Sequence, residues 1–141
     1  MSKVISLRLK DDQYNRLQRA ARRLGRTPSE SAVTMLEEAL RQREFAFVEF
    51  RDSPVGRQAY LQGTRLAVWQ VESLARDYGR NLKQMANNLA IPVERLAAAL
   101  NYAAVYPAEV EAAISDNDLT PETIRQLVPN LEIVGIRAPS P

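Results

Sequence analysis

Apolar and polar positions alternate between Lys3 and Lys10, with Ile5, Leu7 and Leu9 on one side of an extended chain and Val4, Ser6, Arg8 and Lys10 on the other. The pattern predicts one short strand. The period then changes to that of a helix: Tyr14, Leu17, Ala21 and Leu24 form a core-facing stripe. Asp11 is placed to cap this helix, Asp12 adds negative charge to its first turn, and Gly25 ends it. Thr27 caps a second helix, with Pro28 at its first position and Glu30 at its third. Ala32, Val33, Leu36, Ala39 and Leu40 form the apolar face of that helix, which runs to about Arg43.

A lone strand cannot satisfy its own backbone hydrogen bonds, and an isolated hairpin is marginal in water. Pairing with the same strand of a second copy, over a floor of helices, resolves this. The outer face of the resulting ribbon is polar and basic, a shape that fits a DNA major groove. The expectation is a DNA-binding homodimer.

Beyond Arg43 the pattern is less regular. Phe45–Phe50 is aromatic and β-prone, and Asp52-Ser53-Pro54-Val55-Gly56 turns the chain. Ala59–Leu61 and Leu66–Val68 read as short strands around Gln62-Gly63-Thr64-Arg65. Helices follow from Val68 to Tyr78, closed by Gly79, then over Leu82–Leu89 and from Val93 to about Tyr106. Pro107 interrupts, and a short helix resumes through Ile114. Thr120-Pro121-Glu122 caps one more helix to about Leu127; Leu131–Ile136 reads as a strand and residues 138–141 as a loose tail.

Charge sharpens the division. The net charge is only +2, but residues 1–43 carry +5 and the remainder −3. A basic front and an acidic back assign nucleic acid to the front half. Arg16, Arg19, Arg23 and Arg26 form a second basic line on the first helix. That line either touches flanking phosphates or a neighbouring dimer, or it is a solvated face.

Strand, helix, glycine turn and capped helix, in this order, resemble the ribbon-helix-helix family of repressors and antitoxins, the Arc/MetJ/CopG group. The matching residues are Val4-Ile5-Ser6-Leu7-Arg8-Leu9-Lys10 and Leu24-Gly25-Arg26-Thr27-Pro28-Ser29-Glu30. The resemblance implies that Val4, Ser6 and Arg8 enter the major groove. There Arg8 can grip guanine in bidentate fashion, while Val4 meets at most a thymine methyl. It also implies a phosphate anchor at Thr27, Ser29 and Glu30, through backbone N–H groups, with Lys3 and Lys10 as flanking phosphate contacts. Ile5, Leu7, Leu9, Leu17 and Leu36 fill the implied dimer core.

A second stretch, roughly Val55 to Ile114, resembles a small winged helix-turn-helix domain of VapB-like antitoxins, domain of unknown function 433. The residues are Tyr60–Val68 with its Gly63-Thr64-Arg65, Leu82–Leu89, and Val93–Ala104. This resemblance implies neutralisation of a PIN-like nuclease toxin. The would-be recognition helix, Val93–Tyr106, holds Arg95 against Glu94 among alanines, and so is not expected to read DNA. Phe45, Phe47, Phe50 and Arg65 are candidate partner contacts. For the aromatics a place in the core is the alternative, and for Arg65 an internal carboxylate.

Composition removes several other classes. There is no histidine and no cysteine, so imidazole or thiolate metal sites, disulfides and histidine-assisted nucleophiles are unavailable. No Gly-rich phosphate loop occurs, and the carboxylates are scattered; no enzymatic activity, metal or cofactor is expected. With 45% hydrophobic and 26% charged residues the chain is globular, and with neither a membrane span nor a signal sequence it is expected to be cytoplasmic.

The expected fold is mainly α with short strands. Residues 1–44 form a dimeric ribbon-helix-helix module, 45–137 a winged helix-turn-helix-like antitoxin domain, and 138–141 a tail. The expected function is that of a type II antitoxin: operator binding and autorepression as a dimer or higher oligomer through the front, toxin neutralisation through the back. A dimeric regulator without a toxin partner and a protein-interaction scaffold are the alternatives.

Overall fold

The computed structural model describes residues 1–117. It is mainly helical, with six helices and one two-stranded antiparallel sheet among the described residues. The chain divides into two compact units, Met1–Glu44 and a second beginning at Phe45. The expected helix from Thr120 and strand at Leu131–Ile136 lie outside the described residues.

The first unit holds α1 (Asp11–Leu24) and α2 (Pro28–Glu44), preceded by an arm, residues 1–10, with neither helix nor strand pairing. Among the described residues the arm pairs with no strand, so the ladder bonds of the expected strand are unmade. The N-cap of α1 is Lys10, not Asp11: Lys10 is extended (φ −70°, ψ 155°), and its N–H donates to Gln13 Oε1 at 3.0 Å. Asp11 and Asp12 then sit in the first turn, where negative charge suits the helix dipole.

Gly25 (φ 65°) closes α1 in a left-handed conformation. Its N–H donates to Arg22 O, and that of Arg26 to Ala21 O, capping the last carbonyls in a Schellman motif. The N–H of Glu30 donates to Thr27 Oγ1 at 3.2 Å, so Thr27 caps α2 as its sequence demands. Only Ala21 and Ser31 are buried in these two helices.

The second unit has its own core. Strands β1 (Val48–Ser53) and β2 (Gly56–Leu61) pair in register from Val48–Leu61 to Ser53–Gly56 around a two-residue Pro54-Val55 turn. The ladder starts later than the aromatic run suggested: Phe45 is in the core rather than in a strand, its ring 5.2 Å from that of Tyr102. The expected strand at Leu66–Val68 is reduced to a single bridge, Ala67 to Tyr60. Val68 instead begins α3 (Val68–Asp77), because the N–H groups of Gln70 and Val71 both bond Ala67 O.

Then come α4 (Leu82–Leu89), α5 (Val93–Val105) and α6 (Pro107–Asn117). Leu61, Val71, Ala75, Met85, Leu96, Ala99 and Tyr102 are fully buried among them. Tyr102, whose hydroxyl would be costly to bury alone, donates to Glu109 Oε2 at 2.6 Å. Among the described residues the one largely buried charge, Glu72 on α3, accepts from Arg80 at 2.7 Å and meets Arg76 at 3.6 Å. Arg76 also pairs with Glu111, tying α3 to α6. The Arg76 guanidinium holds the Glu111 carboxyl below its ordinary range, and Glu111 in turn raises that of Arg76.

Two expectations follow. Ala90, closing α4, is left-handed (φ 55°), a conformation that costs a residue with a Cβ about 1–2 kcal/mol. Ala90→Gly should raise the midpoint of urea unfolding, by up to about 1 kcal/mol after the entropy cost of glycine. The Glu111 pair adds stability above the unfolded carboxyl's range, which is lost as pH falls through the lowered folded value. Melting curves of Glu111→Gln should therefore depend less steeply on pH in the acid range than those of the wild type.

Candidate nucleic-acid interface

The arm is exposed on both of its sides. Val4 is 94% exposed on the side with Ser6 and Arg8; Ile5 and Leu7 are each 76% exposed and Leu9 42% on the other. Lys3, Ser6, Arg8 and Lys10 are exposed as well. Among the described residues nothing pairs with the Arg8 guanidinium, which leaves its five donors in solvent.

The dimer-core residues expected from sequence thus lie on the surface of the single chain, except Leu17, which is half-buried. Leu36 is 54% exposed and continues a stripe with Val33 (68%) and Leu40 (45%). That stripe belongs to the apolar face predicted for α2, and among the described residues nothing covers it.

At the start of α2 the amides differ from expectation. The N–H of Glu30 is engaged by Thr27, and Pro28 has none, which leaves Ser29 as the donor of the first turn open to a phosphate. Glu30 is therefore removed from the expected donor set, because the cap that starts the helix consumes its amide. Arg26 is drawn to the same turn: it donates to Thr34 Oγ1 at 3.4 Å, and that hydroxyl donates to Glu30 O at 3.1 Å. Sequence spacing grouped Arg26 with the arginines of α1. The Schellman turn after Gly25 and a hydroxyl eight residues on bring it to α2 instead.

In the second unit, α5 follows α4 after Ala90-Ile91-Pro92, and it is engaged internally. Arg95, the one basic residue of α5, donates to Gln62 O at 3.1 Å and stacks over the Phe47 ring at 4.9 Å. It is held against the hairpin rather than offered to a groove. Arg65 is exposed and has no carboxylate partner among the described residues; the carbonyl of its neighbour Thr64 accepts from Arg51 at 2.7 Å, and Arg51 also pairs with Glu49.

The aromatic partner candidates separate. Phe45 belongs to the core and so offers no surface; Phe50 is half-buried, 6.3 Å from Tyr102; Phe47 is 38% exposed beneath Arg95. Among the described residues no cluster suits a metal ion, and no helix is long and apolar enough to cross a membrane.

Comparison with known proteins gives no match: no family model, no curated protein and no solved structure is significantly similar to the chain.

The interface geometry makes one expectation for stability. Thr27→Ala removes the hydroxyl that caps α2, at a cost of about 1 kcal/mol. The same change frees the Glu30 amide. Thermal melting of the full chain should show a lowered midpoint, and Thr27→Ser should restore it.

Proposed function

We propose that this protein is a sequence-specific DNA-binding antitoxin: a homodimer whose paired arms enter the major groove of its own operator, and whose second unit holds a PIN-like nuclease toxin. The single observation that carries the DNA half is the arm. Ile5, Leu7 and Leu9 alternate with Ser6 and Arg8 along the arm and lie exposed, as does the Val33–Leu36–Leu40 stripe of α2. A second copy covers both apolar sets at once and supplies the missing strand, leaving Val4, Ser6 and Arg8 outward. Arg8 is the principal base reader, and Ser29 and Arg26 hold a phosphate at the start of α2.

The toxin half rests on the resemblance of Tyr60–Val68, Leu82–Leu89 and Val93–Ala104 to the antitoxin domain, together with the inward role of Arg95. A helix-turn-helix with its basic residue turned to its own hairpin suits a protein-facing role better than a second DNA reader. A dimeric regulator without a toxin is the second reading, favoured by the burial of Phe45. The protein neutralises by covering its partner and performs no chemistry of its own.

Fluorescence anisotropy on the promoter upstream of its own gene and on random DNA tests the first half. Arg8→Ala should lose about 1–3 kcal/mol of discrimination between the two while retaining most of the random-DNA affinity. Equal losses on both duplexes would make Arg8 a phosphate contact instead. Co-purification with a small nuclease encoded beside the gene tests the second half, and failure to form that complex leaves the plain regulator.

A further inference from the structure

The helix α1 presents arginines on the face turned away from its packing side. At about 3.6 residues per turn, Arg16, Arg19, Arg22 and Arg23 fall within roughly a third of the circumference, opposite Leu17, Ala21 and Leu24. Ala21 is buried and the two leucines are half-buried, whereas all four arginines are exposed.

The only carboxylates on α1, Asp11 and Asp12, lie in its first turn. Asp12 meets Arg16 at 3.8 Å with both side chains largely in solvent, a pair worth little. Among the described residues nothing pairs with Arg19, Arg22 or Arg23. Arg22 lies about 15 Å along the axis from Asp12, beyond the screening length at physiological salt. The positive potential of this face is therefore not cancelled locally.

The position of the face is also fixed. Lys10 is both the last arm residue and the N-cap, so α1 leaves the arm without a linker. Its 14 residues form a helix of about 21 Å, along which Arg16 to Arg23 span about 10 Å.

We propose that Arg16, Arg19, Arg22 and Arg23 form a second, sequence-blind surface for duplex phosphates, extending the footprint beyond the base pairs the arm occupies. The proposal rests on the DNA-binding reading above. Exposed guanidiniums on one side of a rigid helix match a polyanion that presents a charge about every 1.7 Å of duplex axis. They carry no base preference, since nothing holds them in a bidentate geometry.

The test compares three full-length proteins: the wild type, a variant with all four arginines changed to glutamine, and one with all four changed to lysine. Glutamine keeps helix propensity and lysine keeps charge. Affinity for the promoter and for a random-sequence duplex is measured by anisotropy between about 50 and 200 mM salt, with circular dichroism confirming equal helicity.

The glutamine variant should lower the slope of log affinity against log salt by up to about 7 per dimer, since each of the eight lost guanidiniums that touches a phosphate removes about 0.9. It should leave the promoter-to-random ratio unchanged, and lysine should restore the slope. An unchanged slope in a glutamine variant that still prefers the promoter would overturn this proposal and leave the arm reading intact. A wild type with no salt-dependent affinity for either duplex would overturn both.

Discussion

Forty-four residues that bury only Ala21 and Ser31 in their helices while exposing Ile5, Leu7, Leu9, Val33, Leu36 and Leu40 do not hold together on their own apolar packing. Each such side chain, once buried, contributes about 1.5–3 kcal/mol, and a unit this short has too little interior to supply that itself. The caps that are present, Lys10–Gln13, Gly25 and Thr27, define where the helices start and stop, but they cannot replace a core. In the proposed dimer the arm's pairing, the outward placement of Arg8 and the course of α1 along DNA all follow from covering this one surface.

The second unit has the opposite economy. Leu61, Val71, Met85, Leu96 and Tyr102 give it a closed core, and several of its charged groups are engaged within it: Glu72 with Arg76 and Arg80, Arg51 with Glu49, Arg95 with the Gln62 carbonyl. Arg95, the basic residue of α5, joins that helix to the hairpin. Under the proposed function the first unit meets a polyanion and the second a protein surface.

Much of the helical frame was readable from the residues. The glycine after Leu24, the Thr-Pro pair before α2 and the Leu82–Leu89 segment place their elements because each rests on local backbone chemistry. What escaped depended on partners remote in sequence. Leu66–Val68 makes no more than the Ala67–Tyr60 bridge because Val68 is already taken into the first turn of α3. Phe45 looked like part of a β-prone run, but its ring is claimed by Tyr102 and Tyr106, both far along the chain. At the interface the outward set of the arm was visible in its alternation. The reassignment of Arg26 and the loss of the Glu30 amide needed the turn geometry itself. Asp11 lost the cap to Lys10 because a main-chain N–H bonded to Gln13 serves there without a capping side chain.

Hydrogen exchange of the arm amides, measured on the full chain across a dilution series alongside sedimentation, tests the dimer most directly. Pairing with a second copy predicts protection of alternate amides between Lys3 and Lys10, lost on dilution in step with a fall from dimer to monomer mass. Amides that exchange at unprotected rates at every concentration, in a chain that sediments as a monomer throughout, would contradict it.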